Sequence, residues 1–175
     1  NMVKKIRILM ATTQISPYAK TGGLADVSHS LPKALISLEH EIIMVMPFYG
    51  FIRDQNLKIE ELGKENLLIN KVKYPVIYRK SYFRPDIPIY FIYNRDFFNR
   101  PRLYNYPDDN LRFLFFDLAV IRMIKKFNLK VDVIHCHDWH TGLIPNFLKK
   151  QHKNEPALRK IATLFTIHNL PFQFQ

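Results

Sequence analysis

Three short polar segments of this chain contain residue types that can bind anions, transfer protons or hold metals. The first is the loop Lys20–Gly23, Lys-Thr-Gly-Gly, which precedes a helical apolar pattern. The first-turn N–H groups of a helix lack internal partners, so this helix start, with a lysine and no bulky side chains, could bind a phosphate. It matches neither G-x-G-x-x-G nor a P-loop, which disfavours NAD binding and ATP hydrolysis. A tight turn with an exposed lysine is the alternative interpretation.

The second segment, His-Cys-His-Asp-Trp-His at positions 135–140, contains side chains that can bind zinc. If a strand runs through it, His135 and His137 share one face and Cys136 points to the other. No distant C-x-x-C or H-x-x-E-H completes a ligand set, so we expect no metal. Cys136 is expected to be an inert core side chain, and Trp139 is also expected to pack in the core.

The third segment, His168-Asn169, ends an apolar run near the end of the sequence. A histidine here could be structural and bonded to a backbone carbonyl. It could instead face a sugar hydroxyl or a developing cation.

A pair of carboxylates, Asp108 and Asp109, begins another helical pattern. Adjacent residues at a helix start point in different directions, so we expect them to cap the helix rather than act as an acid–base pair.

The elements that would position these segments read as alternating strands and helices. A buried strand ends near Ala11, an amphipathic helix begins at Leu24, and a second buried strand ends at Pro47, which together form a right-handed βαβ unit. Pro32 inside the helical pattern predicts a kink or a break.

The remainder of the sequence extends this pattern. Residues 57–94 are rich in β-branched and aromatic residues and predict two to four antiparallel strands, and a helix, a strand, a helix and a final strand follow. The predicted fold is a Rossmann-like, open, mainly parallel α/β sheet with an antiparallel side element. Because ligands of such sheets bind at the carboxyl edge, the three polar segments are predicted to share one site.

Composition narrows the class of protein. The chain has 175 residues, a net charge of +11, 47% hydrophobic residues and one cysteine, which suits a single globular domain without an internal disulfide. Neither a membrane span nor a signal peptide is found, so the cytoplasm is expected. The basic residues are scattered and lack a nucleic-acid motif, so we expect an anionic small ligand rather than a nucleic acid.

Four motifs in order, "KTGGLADV", "LYNYPDDNLRF", "HCHDWHTGLIP" and "FTIHNLPFQ", resemble bacterial glycogen synthases and plant starch synthases. These are retaining glucosyltransferases that use ADP-glucose. The resemblance implies the two-domain GT-B fold, with residues 1–175 as its N-terminal, acceptor-side domain and the C-terminal nucleotide-binding domain absent. It also implies an α-1,4-glucan such as glycogen as acceptor, the missing C-terminal domain as partner, and no cofactor or metal.

The resemblance also implies roles for individual residues. The lysine of K-T-G-G-L contacts the donor diphosphate, the glycines supply backbone donors, the histidine of T-I-H-N lies beside the transferred glucose, and the aspartate of H-D-W-H lines the same cleft. The matching positions are Lys20, Gly22, Gly23 and Asn169 for ADP-glucose, and His168 and Asp138 as catalytic candidates.

The chain departs from the family at Gln14, where a glutamate is common, which removes a charge near the cleft. Since the motifs close only half of an inter-domain cleft, we expect the 175-residue chain to be folded but inactive alone. Two alternatives remain open: a non-catalytic glucan-binding or sugar-binding module, and a transferase that uses another sugar nucleotide.

Overall fold

The computed structural model describes residues 4–169, apart from the side chain of Asp54. One sheet contains the strands β1 (Arg7–Ala11), β2 (Glu41–Pro47), β3 (Glu60–Ile69), β4 (Val72–Arg84), β5 (Ile87–Tyr93), β6 (Val133–His137) and β7 (Ala162–Thr166). The helices are α1 (Gly23–Ser37), α2 (Arg95–Phe98), α3 (Asp109–Lys126) and α4 (Leu143–Lys150), with 3-10 turns at Gly50–Asp54 and Trp139–Thr141. None of these helices is both long and apolar enough to cross a membrane.

The strand order is β3-β4-β5-β2-β1-β6-β7. The β1–β2, β1–β6, β2–β5 and β6–β7 pairs are parallel, and the β3–β4 and β4–β5 pairs are antiparallel. This confirms the predicted mainly parallel sheet with an antiparallel side element. The carboxyl ends of β2, β1, β6 and β7 therefore lie next to one another at one edge.

The side element contains three strands, within the predicted two to four, but β5 has a second role. It pairs with β2 in parallel, with Met44 opposite Ile89, as well as with β4. Most of its side chains are buried. Because both neighbours bond to it, β5 joins the hairpin of β3 and β4 to the parallel sheet.

Apolar side chains of the central strands and of α3 form one core. Leu9, Met10 and Ala11 of β1 are completely buried, as are Phe115 and Phe116 of α3. A buried strand of this kind is predicted from its continuous apolar sequence. The core thus fixes the central strands, whose ends carry the polar segments.

Helix α1 runs without a break from Gly23 to Ser37, although it contains Pro32. The break, one of the two predicted alternatives, is therefore wrong, and the kink stays a prediction. A proline removes one helical hydrogen bond, and because Pro32 is buried, its ring packs in the interior of the protein.

The predicted capping by the paired carboxylates is also wrong in its details. Asp108 occupies the N-cap position of α3 but its side chain makes no capping bond. It accepts hydrogen bonds from both Nη atoms of Arg100, each at 2.6 Å. Asp109 instead accepts from the N–H groups of Asn105 and Tyr106 and pairs with the buried Arg112. Both carboxylates therefore fasten the loop before α3 through charge-assisted bonds to guanidinium and backbone N–H groups.

Candidate functional site

A cleft of about 1140 Å³ lies where β1 and β6 end. Three stretches of chain supply most of its walls, and its lining includes Gln14, Lys20, Thr21, Gly22, Phe51, Arg102, Tyr104, Asp138, Trp139, His140 and Asn169. The structure thus brings four predicted site residues, Lys20, Gly22, Asp138 and Asn169, to one cavity. The other two, Gly23 and His168, are next to lining residues in sequence.

The two glycines at the start of α1 leave an open surface. Gly22 is extended, with φ −170°, and Gly23 is the first residue of the helix. A Cβ built on either glycine would meet no atom within 4 Å. Neither a positive φ nor crowding within the described chain therefore requires glycine here. The geometry leaves room for another molecule to approach the first-turn N–H groups.

Lys20 is held beside this helix start by a carboxylate of the same helix. Its Nζ lies 2.7 Å from Oδ1 of Asp26, and both side chains are more than half exposed. An exposed pair of this kind contributes at most about 1 kcal/mol. The lysine can therefore exchange its partner for a ligand at small cost.

Gln14 connects the glycine loop to Tyr104, another residue that lines the cleft. It is 5% exposed. Its Oε1 accepts from the N–H and the hydroxyl of Thr21 at 2.6 and 3.0 Å, and its Nε2 donates to the Tyr104 hydroxyl at 2.8 Å. Because the backbone N–H of Thr21 can only donate, the atom of Gln14 that faces it must be the amide oxygen. Tyr104 in turn bonds to Thr13 at 2.7 Å.

We expect Gln14→Ala to lower the free energy of unfolding by about 1–3 kcal/mol, since it removes the three hydrogen bonds that the buried amide of Gln14 makes. Urea unfolding of the wild-type and variant proteins measures this. Gln151→Ala is the matched control: its side chain is exposed at the end of α4, so its effect should stay within about 0.5 kcal/mol. Equal stability of the two variants would contradict the bracing role of Gln14.

Strand β6 delivers the histidine-rich segment. It ends at His137, and the ring centroids of His135 and His137 are 3.9 Å apart on one face, while Cys136 is buried on the other. This confirms the predicted alternation. Burial raises the pKa of the Cys136 thiol well above its ordinary value. Within residues 4–169 no group of three or more acidic, histidine or cysteine side chains is arranged to hold a metal, and the absence of a metal in the protein stays a prediction.

Asp138 follows β6 in a conformation that is unusual for its residue type. Its φ and ψ are 66° and 173°, and its side chain is nearly fully buried. This region is used almost only by glycine and costs a residue with a Cβ about 1–3 kcal/mol. The backbone is held by a bond from its N–H to the Thr166 carbonyl and by bonds from Thr141 to its carbonyl. Strain of this kind marks candidate functional residues.

A buried carboxylate outside the predicted set anchors the other end of this turn. Oδ2 of Asp117, on α3, accepts from the N–H of Leu143 at 2.9 Å, at the start of α4. Burial raises the pKa of Asp117 well above its ordinary value, although the N–H groups of Leu143 and Ile144 oppose that shift. No local sequence pattern pairs position 117 with position 143, so this contact was not predictable.

The prediction that Trp139 packs in the core is wrong. Its side chain is 40% exposed and lines the cleft, because the chain turns at Asp138 and leaves the strand direction. The ring stacks on His140 with centroids 4.0 Å apart and meets Phe113 edge-on at 5.4 Å. It therefore presents an aromatic surface to the cavity.

His140 and Tyr104 extend this surface and were not predicted as site residues. Their rings stack at 4.4 Å. Burial, with a smaller effect from Arg112, lowers the pKa of His140 to about 3, so the ring is uncharged at neutral pH. Neither ring nitrogen has a hydrogen-bond partner within the described part of the chain. The position of Tyr104 inside "LYNYPDDNLRF" was the only sequence signal for it.

The last polar segment lies beside the histidine face of β6. Asn169 is exposed and lines the cleft. His168 is half-buried, and its Nε2 lies 3.0 Å from Nδ1 of His137. Both follow β7 by two or three residues instead of ending it as predicted.

Comparison with known proteins identifies the family. The family model of the starch synthase catalytic domain matches residues 7–175. The chain belongs to this family. A glycogen synthase of Moorella thermoacetica is 43% identical over 177 residues, which cover 98% of this chain and 35% of the relative. Glycogen synthase 2 of Geobacter sulfurreducens is 37% identical over 174 residues, covering 96% and 36%. This member of the family thus spans about a third of the length of its curated relatives.

Solved structures agree with the predicted fold. The catalytic domain of starch synthase IV from Arabidopsis thaliana, bound to ADP and acarbose, matches with a TM-score of 0.87 and 26% identity over 95% of this chain and 34% of that protein. Sucrose-phosphate synthase from Thermosynechococcus elongatus shares the fold at a TM-score of 0.53 and 16% identity. The expected GT-B type of α/β fold is therefore confirmed.

Proposed function

We propose that the protein containing this domain transfers glucose from ADP-glucose to the non-reducing end of an α-1,4-glucan, with retention of configuration. The observation that carries the proposal is the convergence of Lys20, Gly22, Asp138 and Asn169 on one cleft. Its support comes from the glycogen synthases among its relatives and from the ADP and acarbose bound to the related starch synthase IV.

The start of α1 has the features of a diphosphate-binding site. The open backbone at Gly22 and Gly23 lets phosphate oxygens reach the first-turn N–H groups, and the helix dipole favours negative charge. Lys20 adds a formal positive charge after it leaves Asp26. Together these groups would stabilise the leaving diphosphate without a metal.

The segments that follow β6 and β7 offer groups for the sugar. The carboxylate of Asp138 can accept hydrogen bonds from sugar hydroxyls or face the positive charge that develops at the reacting carbon. Asn169 can donate and accept, and His168 is placed next to it. We assign His168 and Asp138 as the catalytic candidates and Asn169 as a substrate-binding residue.

We further propose that residues 1–175 form the N-terminal, acceptor-side domain, and that a C-terminal nucleotide-binding domain completes the cleft. Because the resemblance implies that these motifs line only half of an inter-domain cleft, the 175-residue chain alone is expected to be folded but inactive. No cofactor is expected, and the cytoplasm stays a prediction.

Glucose incorporation into glycogen tests the proposed function. The protein as its gene encodes it is given labelled ADP-glucose or UDP-glucose, and the anomeric configuration of the new linkage is read by NMR. Transfer from ADP-glucose with an α-linkage supports the proposal. A preference for UDP-glucose would support the transferase with another donor, and no transfer from either would contradict the proposed reaction.

A non-catalytic glucan-binding module is the second candidate, favoured by the exposed ring of Trp139 beside His140 and Tyr104. Aromatic surfaces of this kind suit sugar rings, which present apolar faces. Glycogen binding that is lost in Trp139→Ala, together with no glucose transfer by the wild-type protein, would identify this function.

A further inference from the structure

Three histidine rings lie next to one another beside the cleft. His135 and His137 lie on one face of β6, and His168 follows β7, the neighbouring strand. The centroids of the His137 and His168 rings are 5.2 Å apart with 19° between the planes. Nδ1 of His137 and Nε2 of His168 are 3.0 Å apart, within hydrogen-bond distance, whereas His135 bonds to the Thr166 hydroxyl at 2.8 Å.

A hydrogen bond between two ring nitrogens requires one to carry the proton and the other to accept it. His137 is completely buried. Burial, with smaller effects from His135 and His168, lowers its pKa to about 3. His137 is therefore neutral at physiological pH and carries one ring proton, on either Nδ1 or Nε2.

The surroundings of Nε2 decide between these two positions. Nε2 of His137 is buried and has no hydrogen-bond partner in residues 4–169. A proton there would create a buried N–H without an acceptor, and orphaned buried donors are rarer in proteins than orphaned acceptors. A proton on Nδ1 points at Nε2 of His168 and is satisfied.

We propose that His137 is a positioning residue that donates its Nδ1–H to Nε2 of His168 and so selects the His168 tautomer that carries its proton on Nδ1. The bond also sets the plane of the His168 ring. The nitrogen of His168 that is free to meet a substrate is then a hydrogen-bond donor rather than an acceptor. The tautomer rests on the hydrogen-bond geometry and on the burial of His137, and only its use in catalysis rests on the proposed function.

NMR of protein labelled with ¹⁵N at histidine tests the tautomer directly, because protonated and bare ring nitrogens have distinct shifts. The protein is used as its gene encodes it, and His168→Gln assigns the His168 signals. We expect the Nδ1–H form of His168. The Nε2–H form would overturn the proposal whether or not the protein transfers glucose.

Substitutions then separate positioning from a structural role. His137→Phe keeps a ring but removes the donor, and we expect the His168 tautomer to shift and kcat to fall by roughly tenfold or more with little change in KM. Loss of the group that sets the tautomer of a catalytic histidine can cost up to about 10⁴ in kcat. His137→Asn places an amide N–H near the former position of Nδ1, so it should restore the His168 tautomer and most of kcat. His135→Phe, a matched control on the same face, should change neither.

Two outcomes of these variants would overturn the proposal: an unchanged His168 tautomer in His137→Phe, or equal losses in His135→Phe and His137→Phe. Thermal unfolding shows whether each variant is folded. If His137→Phe is not folded, His137→Asn and the wild-type spectrum carry the test. A protein that shows the Nδ1–H form but no glucose transfer would refute the proposed function and leave this inference intact.

Discussion

Lys20→Gln is expected to weaken binding of ADP-glucose by about tenfold to a hundredfold in the protein as its gene encodes it. A charge-assisted hydrogen bond to a phosphate contributes about 1.5–3 kcal/mol, and each 1.4 kcal/mol is a factor of ten. Glutamine keeps the length and a donor but loses the charge. Glycogen affinity should barely change, because the acceptor is neutral. Calorimetric titration with ADP and the KM for ADP-glucose measure the effect.

The stability of the Lys20 variant should stay close to that of the wild type, since its exposed pair with Asp26 contributes at most about 1 kcal/mol. Lys150→Gln is the matched control, because it removes an exposed charge at the end of α4, away from the cleft. Unchanged donor binding in Lys20→Gln, or an equal loss of glycogen binding, would show that the loop is only a turn with an exposed lysine.

Replacement of Asp138 is expected to reverse the usual stability order of alanine and glycine. Both substitutions remove the carboxylate, and both should lower kcat by roughly a hundredfold or more if the carboxylate stabilises the transition state. Only glycine relieves the strained backbone at φ 66° and ψ 173°. Asp138→Gly should therefore be more stable than Asp138→Ala by about 1–2 kcal/mol, the strain less the entropy cost of glycine. Urea unfolding measures the difference.

The control for this comparison is Ser30, an exposed residue within α1. Its backbone is helical, so Ser30→Ala should be more stable than Ser30→Gly by about 1 kcal/mol. Asp138→Asn keeps the strain and the size but loses the charge, and should lose activity without becoming more stable. An alanine variant at position 138 as stable as the glycine variant would contradict the strain.

Short sequence patterns predicted where individual strands end and which of their side chains share a face. The ends of β1 at Ala11 and of β2 at Pro47 were predicted from apolar runs and a proline. The two faces of β6 followed from strand alternation alone. The parallel pairing of β5 with β2 was missed, because partner choice between strands depends on the assembled sheet, which short windows of sequence do not contain.

In the candidate site, too, local sequence predicted some features, and others depend on the assembled fold. The three polar segments were placed at one edge because parallel strands share their direction. The exposure of Trp139 was missed because it depends on a left-handed backbone at Asp138, which favours glycine and has no signal in a sequence with aspartate there. The bonds from Gln14 to Thr21 and Tyr104 join positions far apart in the chain, so only the fold brings them together.

A crystal structure of the protein as its gene encodes it, in complex with ADP, tests the central claim most directly. That claim is that the cleft at the carboxyl edge of the sheet binds the donor diphosphate at the start of α1. We expect phosphate oxygens within hydrogen-bond distance of the N–H groups of Gly22 or Gly23 and of Nζ of Lys20, with Lys20 released from Asp26. A diphosphate bound elsewhere, with the Lys20–Asp26 pair intact at 2.7 Å, would contradict it.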